Sequence, residues 1–320
     1  MSEPIKIVYF GDGEWAHKSF DRILANTNFE ILRVVLRHDT SDDVLRSKAE
    51  EADIEVLSPP NVNDPEFIRD MAKLEPDLGV SMSYNQIIKK NLMEVFPKSM
   101  INCHAGKLPL YRGRNVLNWA LINGEKEIGV TCHYIDEGID TGDIIVQKTF
   151  PVTLDDDYGT VLKKAFNRCS EVLLLAMQDI RNDQVDATPQ PEAGSYFIER
   201  KNGDEFIDWN QTSLEVFNFV RAITAPGPYA RSWIDVNGKY SLILIKEVKM
   251  IDDAITYNCI PGGVVGFSND GTPLVKTNDT MVKITGYEIE DSDKSKLRIG
   301  DRLGINHNLD LLKKYKEKKL

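Results

Sequence analysis

IKIVYFGDGEWAHK, residues 5–18, decides how the first half of the chain is read. Ile5–Phe10 is apolar except for Lys6, the mark of a strand buried on both faces. It runs into Gly11-x-Gly13-x-x-Ala16 and then into SFDRILAN, whose apolar residues recur at spacings of three and four. Strand, glycine loop and helix in that order predict the first βα unit of a parallel sheet. The loop is close to the fingerprint that wraps a dinucleotide pyrophosphate, with Asp39 roughly where a ribose-binding carboxylate would fall. Such a loop also suits any other anion at a helix N-terminus.

The pattern continues outward. EILRVVL (30–36) and LGVSM (78–82) read as further buried strands, with helical spacing between them in PEFIRDMAKL. GVTCHYI (129–135) and DIIVQ (143–147) add two more, and a long helix is predicted from about Tyr158 to Arg181. PQPEAGSYF (189–197), rich in Pro and small residues, reads as a linker. Beyond a helix near 213–223, short strand-like runs (SLILIKEV, GGVVGF, LVKT, MVKITGYEI) are punctuated by GG, ND and DG pairs. The expected organisation is an α/β, Rossmann-like catalytic domain with a mostly parallel sheet over 1–190 and a linker over 191–204. A smaller β-barrel-like, OB-like domain then follows over 205–320. LDLLKKYKEKKL (309–320) is expected to form a basic end helix.

Composition narrows the function. The 320 residues carry a net charge of −11, which disfavours broad binding to nucleic acid or anionic membrane. No apolar run is long enough to span a membrane, and MSEPIKIVYF lacks a secretory h-region, so a cytoplasmic location is expected. Cys103, Cys132, Cys169 and Cys259 make no C-x-x-C pair, so neither a disulfide framework nor a metal site is expected.

The densest polar cluster is INCHAGKLPLYRGRN (101–115), followed by DEGIDTGD (136–143). Asn102 and His104, two apart in extended chain, share a face at the end of a strand. Asp140 lies in a Gly-flanked loop able to reach the imidazole. An amide can donate to an oxyanion, an imidazole can move a proton, and a carboxylate can fix the imidazole tautomer. No G-x-S-x-G occurs, and Cys103 should face the other way. Two readings remain open on spacing alone: direct acyl transfer between two bound substrates, or strand-end residues that cap loops.

NxH…LPxYRG…NWAL.NGE…GVT.H…DEG.DTGDI…Q, over roughly residues 80–150, resembles the 10-formyltetrahydrofolate-dependent formyltransferases. IDWN, FNFVRAITAPGPYARSWI and PGGVVGF are similar to the C-terminal domain of methionyl-tRNA and sugar N-formyltransferases. The resemblance implies that Asn102, His104 and Asp140 are catalytic, and that 10-formyltetrahydrofolate is the cosubstrate. It implies folate contacts at Gln86, Ile87, Ile88, Arg114 and the loop Asp136, Glu137, Gly138, Ile139 to Asp140, with no nicotinamide. His133 is expected to be structural or to act behind the catalytic groups.

The resemblance leaves the acceptor to be chosen. Glycinamide ribonucleotide transformylases lack the C-terminal domain, and formyltetrahydrofolate hydrolases carry an extra domain before the catalytic one, where this chain starts at the first strand. In methionyl-tRNA formyltransferases the loop after the second strand is basic, whereas residues 37–60 here hold three Lys or Arg and seven Asp or Glu. The HPSLLP of the tRNA enzymes is replaced by HAGKLP (104–109), which resembles the sugar N-formyltransferases. The expected acceptor is therefore a nucleotide-linked, dTDP- or UDP-, amino-deoxy sugar for surface polysaccharide such as O-antigen, with methionyl-tRNA as the alternative. Candidate contacts are Gly11, Gly13, His17, Lys18 and Lys107 for the pyrophosphate, and Trp15 or Tyr229 for the base. Trp15 and the lysines have ordinary core and surface readings as well. A homodimer is expected, with no nucleic-acid or membrane partner.

Overall fold

The computed structural model describes residues 3–40, 42–236, 239–290 and 296–304. The end helix expected over 309–320 lies outside the described residues. Among the described residues two compact units are present: one built from 3–116, 127–152 and 162–199, the other from 117–126, 153–161 and 200–304.

The first unit is a seven-stranded sheet. In chain order its strands are β1 (Ile5–Gly11), β2 (Phe29–Leu36), β3 (Val56–Leu57), β4 (Leu78–Met82), β5 (Met100–His104), β7 (Glu127–Tyr134) and β8 (Ile144–Pro151). A short strand β6 (Arg112–Gly113) stands apart and pairs with β9 (Tyr196–Phe197). The sheet order is β3-β2-β1-β4-β5-β7-β8. Strands β1 to β5 run parallel, and β7 runs opposite to the other six, antiparallel to both β5 and β8. The mostly parallel Rossmann-like sheet read from the sequence is present. The order reverses beside β1, and ligands of open α/β sheets bind at the carboxyl ends of strands near such a reversal.

Burial explains the strand sequences. Ile7, Val8, Tyr9 and Phe10 are all fully buried, so β1 has no polar face to alternate. Val8, Phe10, Val35, Met71, Leu92 and Met100 form one core layer. Tyr9, on the other face, satisfies its hydroxyl on the Ala16 carbonyl at 2.8 Å. Helices α1 (Gly13–Leu24), α2 (Asp43–Glu51), α3 (Pro65–Ala72) and the four-residue α4 (Lys90–Met93) connect the parallel strands. The long helix α6 spans Tyr158–Arg181, as its apolar spacing predicts.

The second unit takes in α5 (Val116–Ile122) and α7 (Ser213–Ala222), and its sheet strands are β10 (Ala230–Val236), β11 (Lys239–Lys249), β12 (Val264–Phe267), β13 (Pro273–Lys276) and β14 (Met281–Ile289). The five strands form an antiparallel sheet in the order β10-β11-β14-β13-β12. Arg302 bridges Gly263 beside one edge strand and Leu303 bridges Ile234 on the other. That short segment ties both edges and gives the sheet its barrel-like form. Alternating residues Ile243, Ile245, Val275, Val282 and Ile284 face α7 residues Val216 and Val220 in the core. A Thr212–Glu215 capping box starts α7.

Candidate active site

Strand β5 ends with Asn102 and His104 on one face, and β7 sets His133 directly opposite Asn102. The alternate residue Cys103 points the other way, with its Sγ 3.4 Å from the Cys169 carbonyl of α6. Burial pushes the Cys103 thiol up, which leaves it un-ionised and unsuited to attack. The register of β7 on β8 shifts between Cys132 and His133. A bulge of this kind re-aims the side chain beside it.

Asp140 arrives from the loop between β7 and β8. Its backbone is left-handed, φ 55°, a region Asp tolerates better than most residues. The Asp136 carboxylate stitches the loop by accepting from Gly138 N at 3.1 Å and Thr141 Oγ1 at 2.7 Å. The Asp140 carboxylate accepts from Gly113 N at 2.9 Å and lies 3.6 Å from His104 Nδ1 and 3.5 Å from His133 Nε2. Burial alone would raise its pKa. The His104 charge, the contact with His133 and the Gly113 N–H outweigh that and hold the carboxyl well below the usual carboxylate range.

Hydrogen-bond partners set the tautomers. His133 Nδ1 lies 2.7 Å from the Tyr134 carbonyl and must donate to it. In the neutral ring Nε2 is then an acceptor, 3.4 Å from Asn102 Nδ2, and only in the protonated ring does it donate to Asp140 and lower that carboxyl's pKa. One amide hydrogen of Asn102 is thus turned toward His133, and the other is left to meet an incoming oxygen. His104 Nε2 lies 2.6 Å from the Tyr111 carbonyl and carries the proton there. A second proton on Nδ1 would make an imidazolium facing Asp140. Tyr111, at φ 60°, stacks on Phe197 with centroids 4.7 Å apart. Gly106 lets this happen, because a Cβ there would strike the Tyr111 carbonyl and sit 2.6 Å from His104 Nε2. Thr131 Oγ1, two residues before His133, donates to the Gly106 carbonyl at 2.7 Å and fixes the turn.

The three residues read from sequence as catalytic come together. His133 stands between two of them, closer to the centre than expected. The other candidates divide. Ile87 is exposed and Ile88 buried, while the Gln86 side chain is consumed by Val62 N and the Pro59 carbonyl at 2.9 and 3.1 Å. One amide hydrogen, one oxygen lone pair and the backbone of half-buried Gln86 are left for a ligand. Glu137, Gly138 and Ile139 are exposed on the Asp140 loop, and Arg114 is exposed and paired with Glu199 at 3.1 Å.

The anion site at α1 needs correcting. Gly13 N donates to Asp42 Oδ2 at 2.7 Å, and His17 Nε2 reaches the same carboxylate at 2.8 Å. The α1 N-terminus therefore already holds an anion, and it belongs to the protein. Gly11 is required for packing, since its Cβ would lie 2.7 Å from that of Ala16. Lys18 is turned to α6, paired with Glu14 at 3.4 Å and Asn167 at 3.0 Å. Trp15 packs edge-on to Phe166 at 4.5 Å. Lys107, adjacent to the site in sequence, pairs with Glu127 at the far end of β7 from His133. Tyr229 is in the C-terminal unit, its ring 5.7 Å from Lys246 Nζ. Composition alone gives no sign that 37–60 supplies its own N-terminal anion.

An α/β sheet with an amide, two imidazoles and an ionised carboxylate at its strand ends, and no usable nucleophile among them, defines a group-transfer enzyme. Residues 5–177 match the formyl transferase family and residues 200–303 the formyl transferase C-terminal domain family. The chain belongs to the formyltransferase family. It is 30% identical over 305 residues to the methionyl-tRNA formyltransferase of Ruminiclostridium cellulolyticum, covering 92% of this chain and 95% of that one. In fold it is similar to the N-formyltransferase of Helicobacter canadensis solved with folinic acid and dTDP-3-aminofucose. There the TM-score is 0.69 and the identity 24%, with 88% of this chain and 98% of that chain covered. A sugar 3N-formyl transferase, WlaRD, solved with dTDP and 5-N-formyl-THF, gives a TM-score of 0.66 at 24% identity, covering 91% of this chain and all (100%) of the other. The protein is an enzyme that transfers a formyl group, and its formyl donor is 10-formyltetrahydrofolate.

Proposed function

We propose that the acceptor is the amine of a nucleotide-linked amino-deoxy sugar, a dTDP-sugar in the first instance. The neutral amine attacks the formyl carbon carried on N10 of the folate. Asn102 donates to the oxygen that becomes negative, and His104, facing Asp140, takes up and relays the amine proton toward N10. Collapse of the tetrahedral intermediate breaks the C–N10 bond, and tetrahydrofolate leaves. The loop Asp136–Asp140, the Gln86–Ile88 backbone and Arg114 contact the folate. In this reading the catalytic domain runs through residue 190 and the β-rich domain begins at 205. The enzyme works as a cytoplasmic homodimer.

The observation that carries the acceptor is the acidic stretch 37–60. Two of its three cations are already engaged, Arg37 with Asp39 at 2.9 Å and Lys48 with Asp21 at 2.7 Å. Phosphate neutralisation drives tRNA binding, and this stretch offers little of it. Gly106 adds support: it stands where HPSLLP has Ser, and a side chain there would displace the Tyr111 carbonyl from His104 in this geometry. The sugar acceptors of the two structural neighbours point the same way.

A second reading, methionyl-tRNA formylation, is favoured by the 30% identity that runs through both domains. One experiment separates them. The protein is given 10-formyltetrahydrofolate with dTDP- and UDP-amino sugars or with methionyl-tRNA, and the formamide is followed by mass. Formylation of a sugar nucleotide is expected. Formylation of methionyl-tRNA alone overturns the proposal.

A further inference from the structure

We propose that Gln190 is a positioning residue for the transfer, and that buried Arg112 dictates why it must be a glutamine. This rests on the assignment of Asp140 to the reacting site.

Gln190 Nε2 donates to the backbone carbonyls of Asp140 at 3.0 Å and Gly142 at 2.7 Å, using both amide hydrogens. Its Oε1 accepts from Arg112 Nε at 3.2 Å and Nη2 at 2.8 Å. Arg112 is 2% exposed, and among the described residues it has no carboxylate partner. Its remaining contacts are the Pro191 carbonyl at 3.2 Å, the Tyr196 hydroxyl at 3.2 Å and the Tyr196 ring at 5.2 Å.

The chemistry of the slot is two-sided. On one side stands a guanidinium, which can only donate. On the other stand two carbonyls, which can only accept. A carboxamide presents an oxygen to the first and an NH₂ to the second, and no other side chain of that length does both. Glutamate would set oxygen against two carbonyl oxygens. Asparagine is one methylene short.

What the amide holds is the loop that carries Asp140 in its left-handed conformation. The carboxylate end is fixed by Gly113 N and the backbone end by Gln190. Arg112 and Gly113 are themselves strand β6, paired with β9, and Thr188 exchanges two 2.8 Å hydrogen bonds with Ile144. Residues 189–197, whose composition reads as a linker, form with Thr188 a strap laid across the catalytic loop. Gln190 touches no reacting atom. It acts by fixing the separation of Asp140 from His104 and His133.

The test uses Gln190→Glu and the isosteric Gln190→Met in the full chain, with Asp140→Asn and His104→Ala alongside. A misplacement of about 1 Å costs on the order of 10²-fold in rate. Each Gln190 variant is therefore expected to lower kcat by about 10–100-fold, with the acceptor KM within about twofold. In the Asp140→Asn background the same substitutions are expected to change kcat by less than about twofold, because nothing remains to position. The ¹⁵N resonances of the His104 and His133 rings should move in the Gln190 variants, a signature that needs no acceptor. In the unaltered protein the Gln190 carboxamide protons should exchange slowly. Folded Gln190 variants with normal kcat and unmoved imidazole resonances, equal losses in both backgrounds, or fast-exchanging amide protons overturn the inference. Normal turnover in Asp140→Asn and His104→Ala would instead overturn the site assignment beneath it.

Discussion

Asp140→Asn isolates the charge at the centre of the site. Asparagine matches aspartate in shape and tolerates the left-handed backbone at φ 55°, so the substitution removes charge with little strain. Both partners are largely buried, with His104 10% and Asp140 13% exposed at the side chain. At 3.6 Å and an effective dielectric of about 20, the carboxylate stabilises a positive charge that develops beside it in the transition state by roughly 5 kcal/mol. At 1.36 kcal/mol per decade that is about three decades of rate if the proton passes through the ring. Turnover is expected to fall by about 10²–10⁴-fold, the usual range for general acid–base work. The native carboxylate is ionised at every pH between about 5 and 9, because its pKa is held low, so the substitution removes a full charge throughout that window. The assay is tetrahydrofolate release from 10-formyltetrahydrofolate with the acceptor that the panel identifies, and circular dichroism checks the fold. A folded Asp140→Asn protein within tenfold of normal turnover would show that the carboxylate does not carry the proton-transfer step.

Other expectations follow from the same geometry. Gly106→Ala should abolish turnover while the sheet remains folded, because its Cβ lands on the Tyr111 carbonyl and crowds His104; kinetics with circular dichroism would show it. Asp42→Ala removes a carboxylate bonded to Gly13 N, Leu45 N and His17, and urea unfolding should register a loss of about 1–3 kcal/mol. Burial opposes ionisation of Asp42, but those three partners hold its pKa below the ordinary value. Its contribution is therefore complete above the unfolded carboxylate pKa of about 3.9 and is lost as pH falls through the folded value, visible as a urea midpoint that drops on acidification in the native protein and drops less in Asp42→Ala. Lys107→Ala should leave the acceptor KM within about twofold, since Glu127 rather than the site holds that ammonium; a rise of tenfold or more would place Lys107 in the site after all. Met100→Ala, fully buried in the core beneath β5, should destabilise by about 2–5 kcal/mol on denaturant titration.

The sequence by itself determined what period and residue type can encode. Apolar runs such as Ile7–Phe10 specified buried parallel strands, and spacings of three and four placed α6 at Tyr158–Arg181. The i, i+2 spacing of Asn102 and His104 put two reactive groups on one face and turned Cys103 away. Those are local properties, fixed by the pleat and the helical turn. The tertiary structure decided everything that depends on which distant backbone groups meet. Asp42 fills the α1 anion site because β2 leads into α2 beside the α1 N-terminus, a contact across about thirty residues that no local pattern announces. Lys107 is beside the site along the chain yet aimed at Glu127, because the loop after β5 packs its backbone against Gly129 of β7. Residues 189–197 read as a tether because Pro, Gly and small residues signal flexibility in isolation. Only the buried guanidinium of Arg112, which needs an acceptor, draws Gln190 onto the Asp140 loop and turns that tether into a strap.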